Sequence, residues 1–467
     1  MRNNTIALRE QTVRMWMKMM RKPALAVMTG IALVAVACTS GQTTDAGDGS
    51  APGAPAAAIA ATAPTPFPTQ VPPPPTPKPE PTIEAASAPA VDGTATPAPL
   101  ARTSTPTPTL PDTGEAPSRL TRGWATDFTK HSVDWDEIIS GGPPRDGIPP
   151  IDEPEFLDVA DAPRYMTDSA PVLNLEINGE AKAYPLSIMI WHEIVNDVVG
   201  GVPVSITYCP LCNTAIVFDR RVNGQVLDFG TSGKLRNSDL IMWDRQTESW
   251  WQQITGEAII GELTGTVLEF IPAALVSWEA FAKANPEGLL LSRRTGFNRD
   301  YDGGPYGGYD TIGSDPFLFF GDIDDRLPAM ERVVGMTVDD QTVAYPFVIF
   351  EDTAVVNDVV GSQDLVIFYA SDTLSAFRGP GYSAAKEIGS TGVYDPNLDG
   401  QKLAFRQDGP SIVDDQTGSS WTVLGEAVDG PLAGKSLSPI VHANHFWFAW
   451  SVFFPNSDLR SGQDVTG

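Results

Sequence analysis

Cysteine and histidine are scarce in this chain: 467 residues carry only three Cys and four His. A multi-disulfide scaffold and a multi-cysteine zinc fold are therefore excluded. Basic charge is also short, with 31 Lys+Arg against 58 Asp+Glu and a formal net charge of -27. Sequence-independent nucleic-acid binding needs a basic footprint and is not expected. No G-x-S-x-G nucleophile elbow occurs, and His192-Glu193 is followed by Asn196 where a zincin HExxH motif would place its second His. No glycine loop between a strand and a helix is placed to cradle a phosphate. The serine-hydrolase, zincin and dinucleotide classes are thereby set aside.

The amino terminus is the one basic segment. Arg2, Arg9, Arg14, Lys18, Arg21 and Lys22 face a single acid, Glu10, and precede the apolar run from Pro23 to Ala37. That order is a charged n-region followed by an h-region. Fifteen residues as helix span only about 22 Å, short of a bilayer core, so a retained membrane helix is the weaker alternative. Val36-Ala37-Cys38 followed by Thr-Ser-Gly-Gln resembles a lipoprotein cleavage site, with Cys38 the acylated first residue, although Ala35 stands where Leu is usual. An ordinary secretory cleavage nearby is the alternative. Either way the expected location is exported, with a membrane partner supplied by the lipid if Cys38 is acylated.

Of the 42 prolines, 19 fall between positions 51 and 120. This Pro/Ala/Thr-rich stretch has few large apolar side chains to offset its ordering entropy and is read as a disordered stalk over residues 38–116. The remaining 117–467 form the globular part.

That part contains an internal repeat. Ala183-Tyr184-Pro185 recurs as Ala344-Tyr345-Pro346, and Val195-Asn196-Asp197-Val198-Val199-Gly200 recurs as Val356-Asn357-Asp358-Val359-Val360-Gly361. Later matches include Gly256-Glu257-Ala258 with Gly425-Glu426-Ala427, and Trp278 with Trp447. The offset drifts from 161 through 176 to 169, as loop insertions would produce. The expected fold is β-rich α+β: two tandem homologous lobes related by a pseudo-two-fold axis, copy one about 172–291 and copy two about 331–456. Strands are expected over 172–177, 181–184, 202–208, 215–218 and 226–229, with tight turns at Asn178-Gly179 and Asn223-Gly224. Helices are expected over 186–196 and 277–284. The inter-copy loop 292–330 carries Arg294, Phe297, Tyr301, Tyr306 and Tyr309 and is a candidate ligand loop, a plain connector being the alternative.

The repeat also isolates the chemistry. Cys209 and Cys212 lie in Tyr208-Cys209-Pro210-Leu211-Cys212, whereas the second copy has Ala370 and Thr373 at these places while keeping Tyr369. The scaffold therefore does not need the thiols. His192 faces Thr353 in the repeat, and His442 and His445 face Ala273 and Val276, so these histidines are asymmetric additions too. Thiolates favour copper or zinc and normally recruit further ligands, which points to a metal site of Cys209, Cys212 and His192 with His445 or His442. Two other readings stay open: a thiol-disulfide oxidoreductase using Cys209 and Cys212, and a non-enzymatic envelope binding module with a static disulfide and an unidentified partner or small ligand.

The strings Lys130-His131-Ser132-Val133, Gly141-Gly142-Pro143-Pro144-Arg145-Asp146-Gly147-Ile148-Pro149, Tyr208-Cys209-Pro210-Leu211-Cys212, Arg294-Thr295-Gly296-Phe297 and Phe446-Trp447-Phe448-Ala449-Trp450 resemble the bacterial and archaeal family catalogued as domain of unknown function 3179. The resemblance covers about residues 125–456. It implies an exported or membrane-attached domain and transfers no activity.

Overall fold

A computed structural model describes residues 114–377 and 386–462. The amino-terminal charged and apolar segment, Cys38 and almost all of the Pro-rich stretch lie outside the described residues. Among the described residues no helix is long and apolar enough to cross a membrane.

Alternation of Val, Ile and Leu with small or polar residues gives strands, and the architecture is β-rich with several antiparallel sheets and few short helices. The Asn178-Gly179 turn has both residues at positive φ, 52° and 80°. It joins Pro171–Ile177 to Glu180–Pro185 in register Leu173 with Tyr184. Further along, Ile194–Val199, Val202–Cys209 and Thr214–Asp219 form a meander closed by Phe270–Ile271.

A third sheet is built on the hairpin Phe229–Arg236 and Asp239–Asp244, followed by Trp250–Gln252 and Ala258–Ile260.

Both expected helices of the first half are present. Trp278–Ala284 starts where Ser277 Oγ accepts the Ala280 N–H at 3.1 Å, and it stops at Asn285 before Pro286. Leu186–His192 is shorter than expected from the sequence. Glu193 takes φ 60°, its N–H closing on the Met189 carbonyl, and the β-branched Ile194-Val195 then enters the meander. The expected strand over 226–229 is also revised. Gln225–Val226 pairs with Arg221–Val222, and the chain then bends at Leu227-Asp228, where Leu227 N–H bonds Arg220, before Phe229 opens the next sheet.

The carboxyl-terminal half has comparable elements. Arg332–Val338 pairs with Gln341–Pro346 in register Val334 with Tyr345. Val355–Val360, Gln363–Ala370 and Ser390–Asp395 form a meander, and Trp447–Phe453 is a helix. Corresponding side chains make corresponding bonds. Tyr184 and Tyr345 hydroxyls each donate to an aspartate, Asp197 and Asp358, at 2.7 Å. The Trp251 and Trp421 indoles reach Asp244 and Asp414 at 2.9 and 3.0 Å.

Where the halves differ is decisive for the site. The hairpin Phe229–Asp244 runs on past a bulge at Thr231/Lys234, whereas Phe405–Asp414 turns back at Asp408 and Ser411. The extra length carries Asp239.

Candidate metal centre

Cys209 ends the strand Val202–Cys209 and pairs with Thr214 at the head of the next strand. Pro210 and Leu211 form the connecting turn, with Cys212 N–H bonded to the Cys209 carbonyl at 3.3 Å and Asn213 at φ 52°. The tight turn brings both thiols to one end of the hairpin. A second hairpin meets it there. Asn237 and Ser238, with φ of 50° and 69°, make a two-residue turn of the kind that matches strand twist, and Asp239 follows directly.

One ligand atom from each of Cys209, Cys212 and Asp239 lies within 4.8 Å of the others, and all three residues are buried, at 2%, 0% and 0% exposure. This group could hold a metal ion. The consecutive glutamines Gln252 and Gln253 hold the two hairpins in place around it. Gln252 Nε2 donates to Asp239 Oδ2 at 2.6 Å, and the Ile254 N–H adds 3.0 Å to the same oxygen. Gln253 Nε2 holds the other hairpin through Thr207 Oγ1 at 2.9 Å and the Thr214 carbonyl at 3.2 Å. Asp239 Oδ1, in contrast, is buried and receives no N–H or O–H; the hydrogen-bonding groups left beside the carboxylate are the Cys209 and Cys212 thiols.

Burial, more than any other cause, pushes the Cys209 and Cys212 thiols up from their ordinary range. It also raises Asp239 to about 6. Glu193 is pushed up to about 8, first by burial and then by Asp239. Four acids that share a dry space resist ionising together unless a cation joins them.

The histidines occupy other places. His192 Nδ1 bonds the Pro149 carbonyl at 2.8 Å and Nε2 meets the Tyr301 hydroxyl at 2.7 Å. Burial lowers His192 to about 4, so the ring is neutral. His445 Nδ1 bonds Thr214 Oγ1 at 2.8 Å, and its ring packs on Trp450 at 4.9 Å. His442 Nδ1 bonds the Ile440 carbonyl at 2.9 Å. His131 bonds Val133 and packs on Trp135. None of the four belongs to the group of three ligand atoms.

The aromatic loop is tied to both hairpins. Tyr309 OH donates to the Leu211 carbonyl at 3.0 Å, inside the cysteine turn, and Ser238 Oγ donates to the Phe317 carbonyl beside Asp239. Tyr306 is half-buried and close enough to Glu193 and Cys209 for their charges to act on it. Asp310 anchors the same loop through a buried ion pair with Arg332 at 2.7 Å. Arg294 is on the rim, paired with Glu155 at 2.9 Å, and Phe297 is 43% exposed.

Sequence reasoning missed Asp239 and Glu193. A signal for Asp239 was present, because the repeat offset falls by six residues between the Phe229/Phe405 and Asp244/Asp414 matches. For Glu193 the signal was an acid beside an apolar helix end.

The family model described as a protein of unknown function, DUF3179, matches residues 145–457, and the chain belongs to that family. No curated protein and no solved structure matches it.

Proposed function

We propose that this DUF3179 member is an exported, lipid-tethered protein whose globular part holds one zinc ion at Cys209, Cys212 and Asp239. The observation that carries the reading is the buried cluster itself: one ligand atom each from Cys209, Cys212 and Asp239 within 4.8 Å of one another. Of the two metals expected from the sequence, copper and zinc, the mixed donor set favours zinc. Zinc takes thiolate and carboxylate together, whereas thiolates without oxygen suit copper(I) better. Binding requires the thiols to lose their protons, so zinc affinity rises with pH.

Three protein ligands leave room for a fourth, and Glu193 is close enough for its charge and those of Asp239 and Cys209 to act on one another. A site with that place open to solvent or substrate would act as a Lewis acid; one filled by Glu193 would be structural. The redox alternative is less well supported. An attacking thiol needs exposure and a lowered pKa, and Cys209 is buried with its pKa raised.

We further propose that the two halves are copies of one unit, as the matched bonds of Tyr184 and Tyr345 suggest. The first copy gained its site by lengthening one hairpin and replacing two residues at the end of another. The amino-terminal features support export, acylation at Cys38 and a stalk.

Paired native and denaturing mass spectrometry on the chain exported without chelator tests the metal. One zinc in the native spectrum, absent from Cys209→Ser, is expected. A metal-free protein whose denatured mass is about 2 Da below the reduced value would instead reveal a Cys209–Cys212 disulfide and overturn the reading.

A further inference from the structure

Cys209, Cys212 and Asp239 are all buried, so an ion can reach them only if some part of the protein moves. The loop between the two halves packs onto that end of the hairpins. Its Tyr306, Tyr309, Phe317 and Leu318 share one apolar cluster with the two thiols, whereas Thr311, Ile312, Gly313 and Phe320 are exposed. The cover is thin.

Both ends of this cover are fixed. Asp310 is held by Arg332 and by Ser375 Oγ, each at 2.7 Å, and all three residues are buried. Further on, the Trp447 indole donates to the Asp324 carbonyl at 3.0 Å. The stretch between, residues 311–323, contains no strand or helix. It is fastened at Phe317, where each backbone group meets a side-chain hydroxyl: the N–H donates to Tyr309 at 3.1 Å, and the carbonyl accepts from Ser238 Oγ. The Tyr309 hydroxyl donates in turn to the Leu211 carbonyl inside the cysteine turn, and Ser238 directly precedes Asp239. One fastening point thus joins the cover to both ligand-bearing hairpins. The next residue, Leu318, sits at φ 56°, a left-handed conformation that strains a bulky side chain and persists only where its surroundings hold it.

We propose that residues 311–323 are the gate through which a metal ion reaches and leaves Cys209, Cys212 and Asp239, with the Tyr309 and Ser238 hydroxyls as its latch. The inference rests on the zinc reading for the identity of what passes. Releasing Phe317 relieves the strain at Leu318, so opening is local and leaves the sheets intact. An ion crosses a gate in both directions. Loosening the latch therefore speeds uptake and release alike and leaves affinity nearly unchanged, whereas damage to the ligand set would weaken affinity.

The test is thiol labelling of the full exported chain, reduced and stripped by chelator, with iodoacetamide and an intact-mass readout. The wild-type rate should be almost independent of low urea, as local opening is. Tyr309→Phe and Ser238→Ala should each label about fivefold to tenfold faster, the factor that loss of one or two hydrogen bonds supplies. Tyr394→Phe, which loses a hydroxyl bond to the Val423 carbonyl at 2.9 Å in the second half, should label as the wild type does. In stopped-flow experiments with zinc, uptake and release to chelator should quicken by the same factor in Tyr309→Phe, at unchanged zinc content. Thermal melting checks that the variants are folded, and if neither latch variant is, the urea dependence of the wild type decides. A wild-type rate that climbs steeply with low urea, latch variants that label no faster than Tyr394→Phe, or faster release without faster uptake would overturn the proposal. A chain that labels as expected yet binds no zinc overturns the zinc reading and with it the gate's cargo; unchanged labelling with one zinc bound overturns the gate alone.

Discussion

Replacing Asp239 by Asn should move stability in opposite directions with and without metal. In the metal-free protein Asp239 is pushed from 3.8 to about 6, mainly by burial. A raised carboxyl pKa means that its contribution is fully present below about pH 4 and is lost as pH rises through 6. Above pH 7 the loss is roughly 3 kcal/mol at about 1.4 kcal/mol per pKa unit. Asn carries no charge and escapes it, but is a weaker acceptor for the Gln252 and Ile254 N–H groups, which returns about 1 kcal/mol. Asp239→Asn in chelator at pH 8 should therefore be more stable than wild type by about 2 kcal/mol, and at pH 3.5 the gain should be gone. With zinc at about a thousand times its Kd, wild type gains about 4 kcal/mol that the variant lacks. Urea unfolding followed by tryptophan fluorescence, at both pH values with zinc or chelator, measures this. An Asn variant that is less stable than wild type in chelator at pH 8, or that zinc stabilises equally, would refute the reasoning.

Glu193, raised to about 8 by burial and Asp239, should make the metal-free protein lose stability as pH rises from about 4.5 through 8. Glu193→Gln should flatten that slope in thermal melts with chelator, and an unchanged pH profile would contradict the burial argument. His192→Gln and His445→Gln should keep full zinc content while losing about 1–2 kcal/mol each through the Tyr301 and Thr214 bonds; zinc loss in either, measured by elemental analysis, would make that histidine a ligand. Arg332→Met should cost about 3–5 kcal/mol in urea unfolding, because Asp310 is left buried and unpaired. Adding Asp310→Leu to Arg332→Met should recover much of the loss; no recovery would assign the cost to packing.

Much of the β-rich frame could be read from residue patterns. Asn178-Gly179 and Asn223-Gly224 mark their turns because few other residues accept positive φ, and Asn285-Pro286 stops a helix for equally local reasons. The end of the helix Leu186–His192 was misplaced because pairing of Ile194–Val199 with Val202–Cys209 is a tertiary effect that overrides local pattern. At the site, the asymmetry between the halves marked Cys209 and Cys212. Their partner was harder to find. Asp239 is 27 residues from Cys212 in sequence, and only the register of an extended hairpin carries it there. Histidine was the ligand type expected beside thiols, yet both ring nitrogens of His192 are engaged, by Pro149 and Tyr301, and Nδ1 of His445 by Thr214, bonds between residues far apart in sequence.

X-ray absorption at the zinc edge of the metal-loaded chain reads the ligands themselves. The account predicts two sulfurs at about 2.3 Å and oxygen at about 2.0–2.2 Å, with no imidazole scattering. A shell with imidazole, or with fewer than two sulfurs, would contradict it.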